Sequence, residues 1–223
     1  MEIDWPSCVN VRDLGGLPAR HGETRDGALI RSDDLSLLTG DGVSAVRGSG
    51  VVRILDLRSF KELRSAPGPF AGDPIYRHVP LLEDVLPYDP PAWTYAPMLD
   101  HNRNRIAQAF RALASAPEGA VVIHCRAGRD RTGGLIALAL EIAGVRPEAI
   151  VADYARTAGA DPAAMRNTLD HLTERYGGAT AYLANAGVSA AELARVRRRL
   201  VPGGRSTSPR SARSARPASR PAR

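Results

Sequence analysis

The sequence holds only two cysteines, Cys8 and Cys125, in 223 residues. Two distant thiols give neither a disulfide framework nor the paired spacing of a zinc site, so a reducing compartment is expected. The histidines supply no metal pattern either: His21, His78, His101 and His171 have no ligand-like spacing relative to one another. Neither a metal nor a cofactor is expected. No apolar run is long enough to cross a bilayer, and the start, Met1-Glu2-Ile3-Asp4-Trp5-Pro6, lacks the charged-then-apolar pattern of an export signal. The expectation is a soluble, cytoplasmic protein, with export by a route that needs no signal peptide left open. There is no internal repeat, and the length suits one compact domain with a sizeable core.

The C-terminal segment lacks acid altogether. From Arg205 onward it carries six arginines and no Asp or Glu, which equals the formal net charge of +6 for the whole chain and leaves the preceding residues neutral. Residues 203–223, made of Pro, Ser, Ala and Arg without apolar periodicity, are expected to be a disordered basic tail with at most loose affinity for polyanions. A neutral body argues against a specific nucleic-acid binder. The expected division is therefore a catalytic domain over residues 1–202 and a tail over 203–223.

What is present in strength is the stretch His-Cys-Arg-Ala-Gly-Arg-Asp-Arg-Thr-Gly, residues 124–133. It follows Ala120-Val121-Val122-Ile123, a continuous β-branched run suited to a buried strand. It precedes Gly133–Ala143, apolar nearly all round and suited to a buried helix that Gly144 ends. A strand, a tight loop and a helix N-terminus would gather the backbone N–H groups of Arg126, Ala127, Gly128, Arg129, Asp130, Arg131 and Thr132 around one point, with the positive end of the helix dipole behind them. Such a cradle suits a phosphate. Cys125 opens the loop and Arg131 closes it, so a thiolate can attack phosphorus in line while a guanidinium grips two oxygens by its planar fork. Attack needs the thiolate, which the dipole, the N–H donors and Arg126, Arg129 and Arg131 all favour. The Thr132 hydroxyl can donate to the sulfur as it departs.

On these residues the sequence resembles the cysteine-dependent phosphatases, most closely the bacterial atypical tyrosine and lipid phosphatases. Asn10-Val11-Arg12-Asp13-Leu14-Gly15-Gly16, Ile30-Arg31-Ser32-Asp33-Asp34-Leu35-Ser36 and Asp56-Leu57-Arg58-Ser59 fit the same group, and the resemblance spans residues 8–200. It implies hydrolysis of phosphate monoesters through a phosphocysteine intermediate, with a phosphotyrosine protein or a phosphoinositide as substrate. Rival readings are a phosphate-recognition module without turnover, against which Cys125, Asp130, Arg131 and Thr132 all stand, and a basic nucleic-acid binder. The group usually carries Lys where this chain has Arg129. Arg126 and Arg129 stand where lipid phosphatases carry Lys, which implies activity on phosphoinositides beside phosphotyrosine. The general acid is assigned to Asp130, at the position where myotubularin-type phosphatases carry Asp; Asp56 is the alternative.

Around the loop, Asn10–Gly16 reads as an extended segment turning at Gly15-Gly16, paired with a strand over 28–31. Arg12 and Asp13 either brace the loop from behind or pair with each other; a structural role is favoured, since buried charges require partners. A helical turn over 34–38 precedes a helix from Thr39 to about Gly48. Val51–Leu55 reads as a buried strand that delivers Asp56 and Arg58 to the sheet end where open α/β folds bind ligands. Ser59 and Glu62 form a capping box for the next helix. Tyr76–Leu82 reads as a strand, and Glu83–Pro97 as a long irregular loop that either covers the site or packs through Trp93 and Tyr95. Helices are expected over 101–116, 147–157, 161–176 and 189–200. His124 is expected to hold the loop backbone by hydrogen bonding. The fold class that results is a three-layer α/β domain with a mostly parallel sheet of about four or five strands.

Overall fold

The computed structural model describes residues 1–202; the expected basic tail lies outside the described residues. Seven strands form: β1 (Arg12–Asp13), β2 (Pro18–Ala19), β3 (Gly22–Glu23), β4 (Leu29–Ser32), β5 (Val51–Asp56), β6 (Tyr76–His78) and β7 (Ala120–His124). The helices are α1 (Gly40–Gly48), α2 (Phe60–Ser65), α3 (Ala96–His101), α4 (Arg103–Ala114), α5 (Asp130–Ile142), α6 (Pro147–Ala155), α7 (Pro162–Tyr176), α8 (Ala179–Asn185) and α9 (Ala190–Leu200). The main sheet has five strands in the order β1-β4-β7-β5-β6, parallel except for the β1–β4 pair, and β2–β3 form a separate hairpin.

Strand β7 enters the sheet last and lies at its centre, which explains its uninterrupted apolar sequence. Successive side chains of a strand point to opposite faces. Accordingly Val121 and Ile123 join the core beneath α4, α5 and α9, while Ala120 and Val122 join the second core with Trp5, Val46 and Phe70 on the α1 side. Two cores on the two faces make three layers. In register, His124 pairs with Ser32 on one side and Asp56 on the other, so the C-terminal ends of three parallel strands converge where the chain leaves β7.

Helix α5 is buried on nearly every side. At Gly133 a Cβ would lie 3.0 Å from the Tyr154 ring, so the absence of a side chain lets α6 pack closely against α5. The two capping boxes expected at Ser59/Glu62 and Ser189/Glu192 are both formed.

Several boundaries differ from expectation. The strand over 76–82 stops at His78, opposite the end of β5 at Asp56; beyond it the Val79 N–H still donates to the Asp56 carbonyl at 2.9 Å. The helix expected over 101–116 is α4, and a short helix that was not expected, α3, precedes it, the two separated at Asn102, whose φ of −115° and ψ of 23° leave the helical region. The α8 helix and the β2–β3 hairpin carried no sequence signal strong enough to be expected.

Candidate active site

Cys125 leaves the end of β7 and is only 2% exposed. The chain then turns through Arg126–Arg129 and enters α5 at Asp130. The turn depends on Gly128, whose φ of +63° lies in the left-handed region. A Cβ there would also sit 2.5 Å from the Ser32 carbonyl oxygen.

Three successive carbonyls of this turn are tied back to the protein. That of Arg126 accepts from the Asp34 N–H at 3.1 Å. That of Ala127 accepts from Asn10 Nδ2 at 3.1 Å, and that of Gly128 from both Asn10 Nδ2 at 3.1 Å and Arg31 Nη2 at 2.6 Å. Among the described residues, none of the backbone N–H groups from Arg126 to Thr132 finds an acceptor. Donors left unpaired on one side of a turn, at the N-terminus of a helix, constitute an anion site.

Behind the turn lies a buried ionic cluster. Arg12 donates to Asp153 Oδ1 through Nε at 2.8 Å and to Asn10 Oδ1 through Nη1 at 2.7 Å. Arg31 donates to Asp153 Oδ2 at 2.9 Å. One carboxylate on α6 thus serves two guanidiniums that in turn hold the loop, one directly and one through Asn10. Asp13 takes no part: it accepts from the Gly15 and Gly27 N–H groups at 3.2 and 2.7 Å and fixes the turn after β1. Burial pulls Arg31 below its ordinary pKa, with Asp153 opposing.

In front of the turn, Arg131 is gripped in bidentate fashion by Glu62, with Nη2 to Oε1 at 2.8 Å and Nη1 to Oε2. Glu62 also accepts from the Ser59 N–H at 2.7 Å, so the capping carboxylate aims the guanidinium as well. The Arg131 hydrogen bond, assisted by the Ser59 N–H against burial, holds Glu62 at a pKa of about 2. Asp56 is fully buried. It accepts from Arg58 Nη2 and from the Tyr76 hydroxyl, both at 2.7 Å. Burial opposes its charge, but His124 and Arg58 more than offset that and keep its carboxyl well below the usual range. A buried carboxylate paired in this way favours its charged form over the protonated form that a proton donor needs. Arg58, its partner, also donates to Asp34 Oδ1 at 2.8 Å and so steadies the segment that holds the Arg126 carbonyl.

His124 is buried, which lowers its pKa, and its Nδ1 lies 3.4 Å from the Cys125 carbonyl oxygen, so in the tautomer that carries the proton there the ring donates to the loop. The Thr132 hydroxyl is buried and has no hydrogen-bond partner among the described residues.

A cleft of about 590 Å³ opens beside Arg129, Asp130 and Arg131, with Glu62, Tyr95 and Tyr154 among its walls. Residues 82–98 supply much of the rest, so the irregular segment expected over 83–97 does border the site. Of the two aromatic residues expected to pack it, Tyr95 is half-buried, whereas the Trp93 side chain is 65% exposed. The Tyr95 hydroxyl donates to Asp130 Oδ1 at 2.5 Å, and Arg129 Nε donates to the same oxygen at 2.9 Å. Arg129 also donates to the Gly159 carbonyl at 3.0 Å. Arg126 is exposed, and its side chain makes no hydrogen bond or ion pair among the described residues.

The model of the tyrosine phosphatase family matches residues 3–161 and 155–202. The chain belongs to that family. It is 29% identical over 217 residues to a tyrosine-protein phosphatase of Nostoc commune, covering 78% of this chain and 74% of that protein. It is 26% identical over 211 residues to the triple specificity protein phosphatase PtpB of Mycobacterium tuberculosis, covering 78% and 75% respectively. The family resemblance read from the motifs at 10–16, 30–36, 56–59 and 124–133 is thus borne out. Asp153, Tyr154 and Tyr95 border the phosphatase site without belonging to any of those motifs. Asp153 carried one usable signal: an acid among Ile150, Val151 and Tyr154 on the buried side of a helix requires cationic partners.

Proposed function

We propose that this protein hydrolyses phosphate monoesters, phosphotyrosine first among them, through a phosphocysteine intermediate. The observation that carries this reading is the set of unpaired N–H groups from Arg126 to Thr132, with the Cys125 thiol at its base and Arg131 held at its lip by Glu62. In the first step the Cys125 thiolate attacks phosphorus, the bond to the leaving oxygen breaks, and that oxygen takes its electron pair and a proton from Asp130. In the second, water attacks the phosphocysteine, Asp130 takes a proton from it, and the electrons of the S–P bond return to sulfur. The N–H groups and Arg131 stabilise the charge on the equatorial oxygens through both steps. Thr132, with a buried and otherwise unpartnered hydroxyl, supports the sulfur as leaving group.

A relative named a triple specificity protein phosphatase supports a substrate range wider than phosphotyrosine. For phosphoinositides the reading rests on Arg126, which makes no ion pair among the described residues, because Arg129 is committed to Asp130 and Gly159. Activity on the lipid is accordingly assigned as secondary.

Cys125→Ser should lower turnover of an aryl phosphate by at least about 10⁴-fold while vanadate still binds, because the cradle is intact and only the nucleophile is lost. Turnover in the serine variant within an order of magnitude of wild type would sink the mechanism.

A further inference from the structure

Both donors that reach Asp130 reach the same oxygen. Tyr95 and Arg129 converge on Oδ1, and Oδ2 receives no hydrogen bond among the described residues. The Tyr95 hydroxyl also lies 2.5 Å from that of Tyr154. Since the Tyr95 proton goes to the carboxylate, the Tyr154 proton goes to Tyr95, and a one-way chain runs from Tyr154 through Tyr95 to Asp130. Its far end is fixed, for the Tyr154 ring is buried and lies against the bare backbone of Gly133. Its middle is fixed from two sides: the rings of Tyr95 and Tyr154 meet edge to face at 6.1 Å, and the Tyr95 N–H donates to Thr168 Oγ1 at 2.7 Å. Burial, and then the hydrogen bond to Asp130, push the Tyr95 phenol far above its ordinary pKa, so it keeps its proton and acts as a donor.

We infer that Tyr95, backed by Tyr154, is a positioning residue for the general acid: it claims Oδ1 of Asp130 and so leaves Oδ2 as the oxygen that carries and transfers the proton. The inference rests on Asp130 being that acid. A half-buried aspartate at a helix N-terminus has several rotamers, and a proton donor works only within hydrogen-bond reach of the departing oxygen. A donor held in place on Oδ1 selects one rotamer. It also stabilises the carboxylate left when the P–O bond breaks and the proton moves from Oδ2 to the leaving oxygen. The same contact ties the segment bordering the cleft to the chemistry, because Tyr95 closes that segment immediately before α3.

The test is a leaving-group comparison. Wild type, Asp130→Asn, Tyr95→Phe, Tyr154→Phe and the Asp130→Asn/Tyr95→Phe double variant are assayed on nitrophenyl phosphate, whose leaving group needs little help, and on phenyl phosphate, whose leaving group needs a proton. Vanadate affinity serves as the measure of an intact cradle. Tyr95→Phe should lose about tenfold more kcat on phenyl phosphate than on nitrophenyl phosphate with vanadate affinity within twofold of wild type, a split that loss of fold or of phosphate binding does not produce. Tyr154→Phe should show a weaker split in the same direction. The double variant should be no worse than Asp130→Asn alone. Equal losses on the two esters in Tyr95→Phe, or an additive double variant, while Asp130→Asn keeps its own split, would overturn the positioning role and leave the acid assignment standing. Absence of a split in Asp130→Asn itself would remove the acid assignment and this inference with it.

Discussion

Two carboxylates hold arginines on opposite sides of the catalytic loop, and they differ in burial. Asp153, behind the loop, is 2% exposed with both of its guanidinium partners sealed beside it. Glu62, in front, is 23% exposed and grips the arginine that the proposed function assigns to the phosphate. Burial decides what each pair is for. The rear pair is costly to desolvate and worth keeping only because each partner would be far worse alone, which makes it a fixed frame. The front pair stays close enough to water for Arg131 to share its remaining donors with a phosphate, and it acts on binding more than on stability.

The largest effect that tests this contrast is on the rear pair. Asp153→Ala leaves Arg12 and Arg31 buried without a counter-ion and should cost about 3–5 kcal/mol in equilibrium urea unfolding. A loss below about 1 kcal/mol would put Asp153 in the class of surface ions and dissolve the distinction. Glu62→Gln should cost roughly 1 kcal/mol, since the cap geometry survives, yet lower kcat/KM on an aryl phosphate roughly tenfold by loosening the guanidinium. Were stability to suffer more than activity, front and rear would be doing the same work.

Acid titration tests the front pair. The Glu62 carboxyl falls from an ordinary 4.5 to about 2 on folding. A depressed pKa means that its contribution is fully present above pH 4.5 and is lost as pH falls toward 2. The urea midpoint should therefore drop across that window, and Glu62→Gln should flatten part of the drop. An unchanged slope in the variant would show that Glu62 gains nothing from Arg131. The smallest effect concerns the loop's own cations. Arg126→Met should reduce activity on a phosphoinositide about threefold more than on a phosphotyrosine peptide, whereas Arg129→Met should reduce both alike, as its guanidinium is tied to Asp130. Equal losses for Arg126→Met would end the lipid reading.

The sheet, its central strand and the reacting loop were legible because their signals are contiguous. An apolar run, a Cys, an Arg six residues on and a buried helix follow one another along the chain. The capping box at Ser59 was equally local, but its second function was not: nothing in the spacing of Glu62 and Arg131, 69 residues apart, joins them. Arg31 and Asn10 stood inside recognisable stretches without any hint of what they hold. Tyr95 looked like a packing aromatic beside Trp93, and only the fold separates a tyrosine on the acid from a tryptophan in solvent. Asp56 shows the converse: its place at the end of a strand suggested access, while its pairing can be seen only once Arg58 and Tyr76 are folded around it.

The ties behind the loop also set a timetable for synthesis. The Gly128 carbonyl is held by residues 118 and 97 positions earlier in the chain, and their anchor Asp153 lies 141 positions after Arg12. Contacts of such sequence separation form late, after most of the chain has been made and has collapsed. A chain in which β7 has formed but α6 has not docked still lacks the carboxylate that gathers Arg12 and Arg31, and hence the ties that shape the turn. Under the proposed function the site is therefore complete only with the docking of α6, not with translation of the motif.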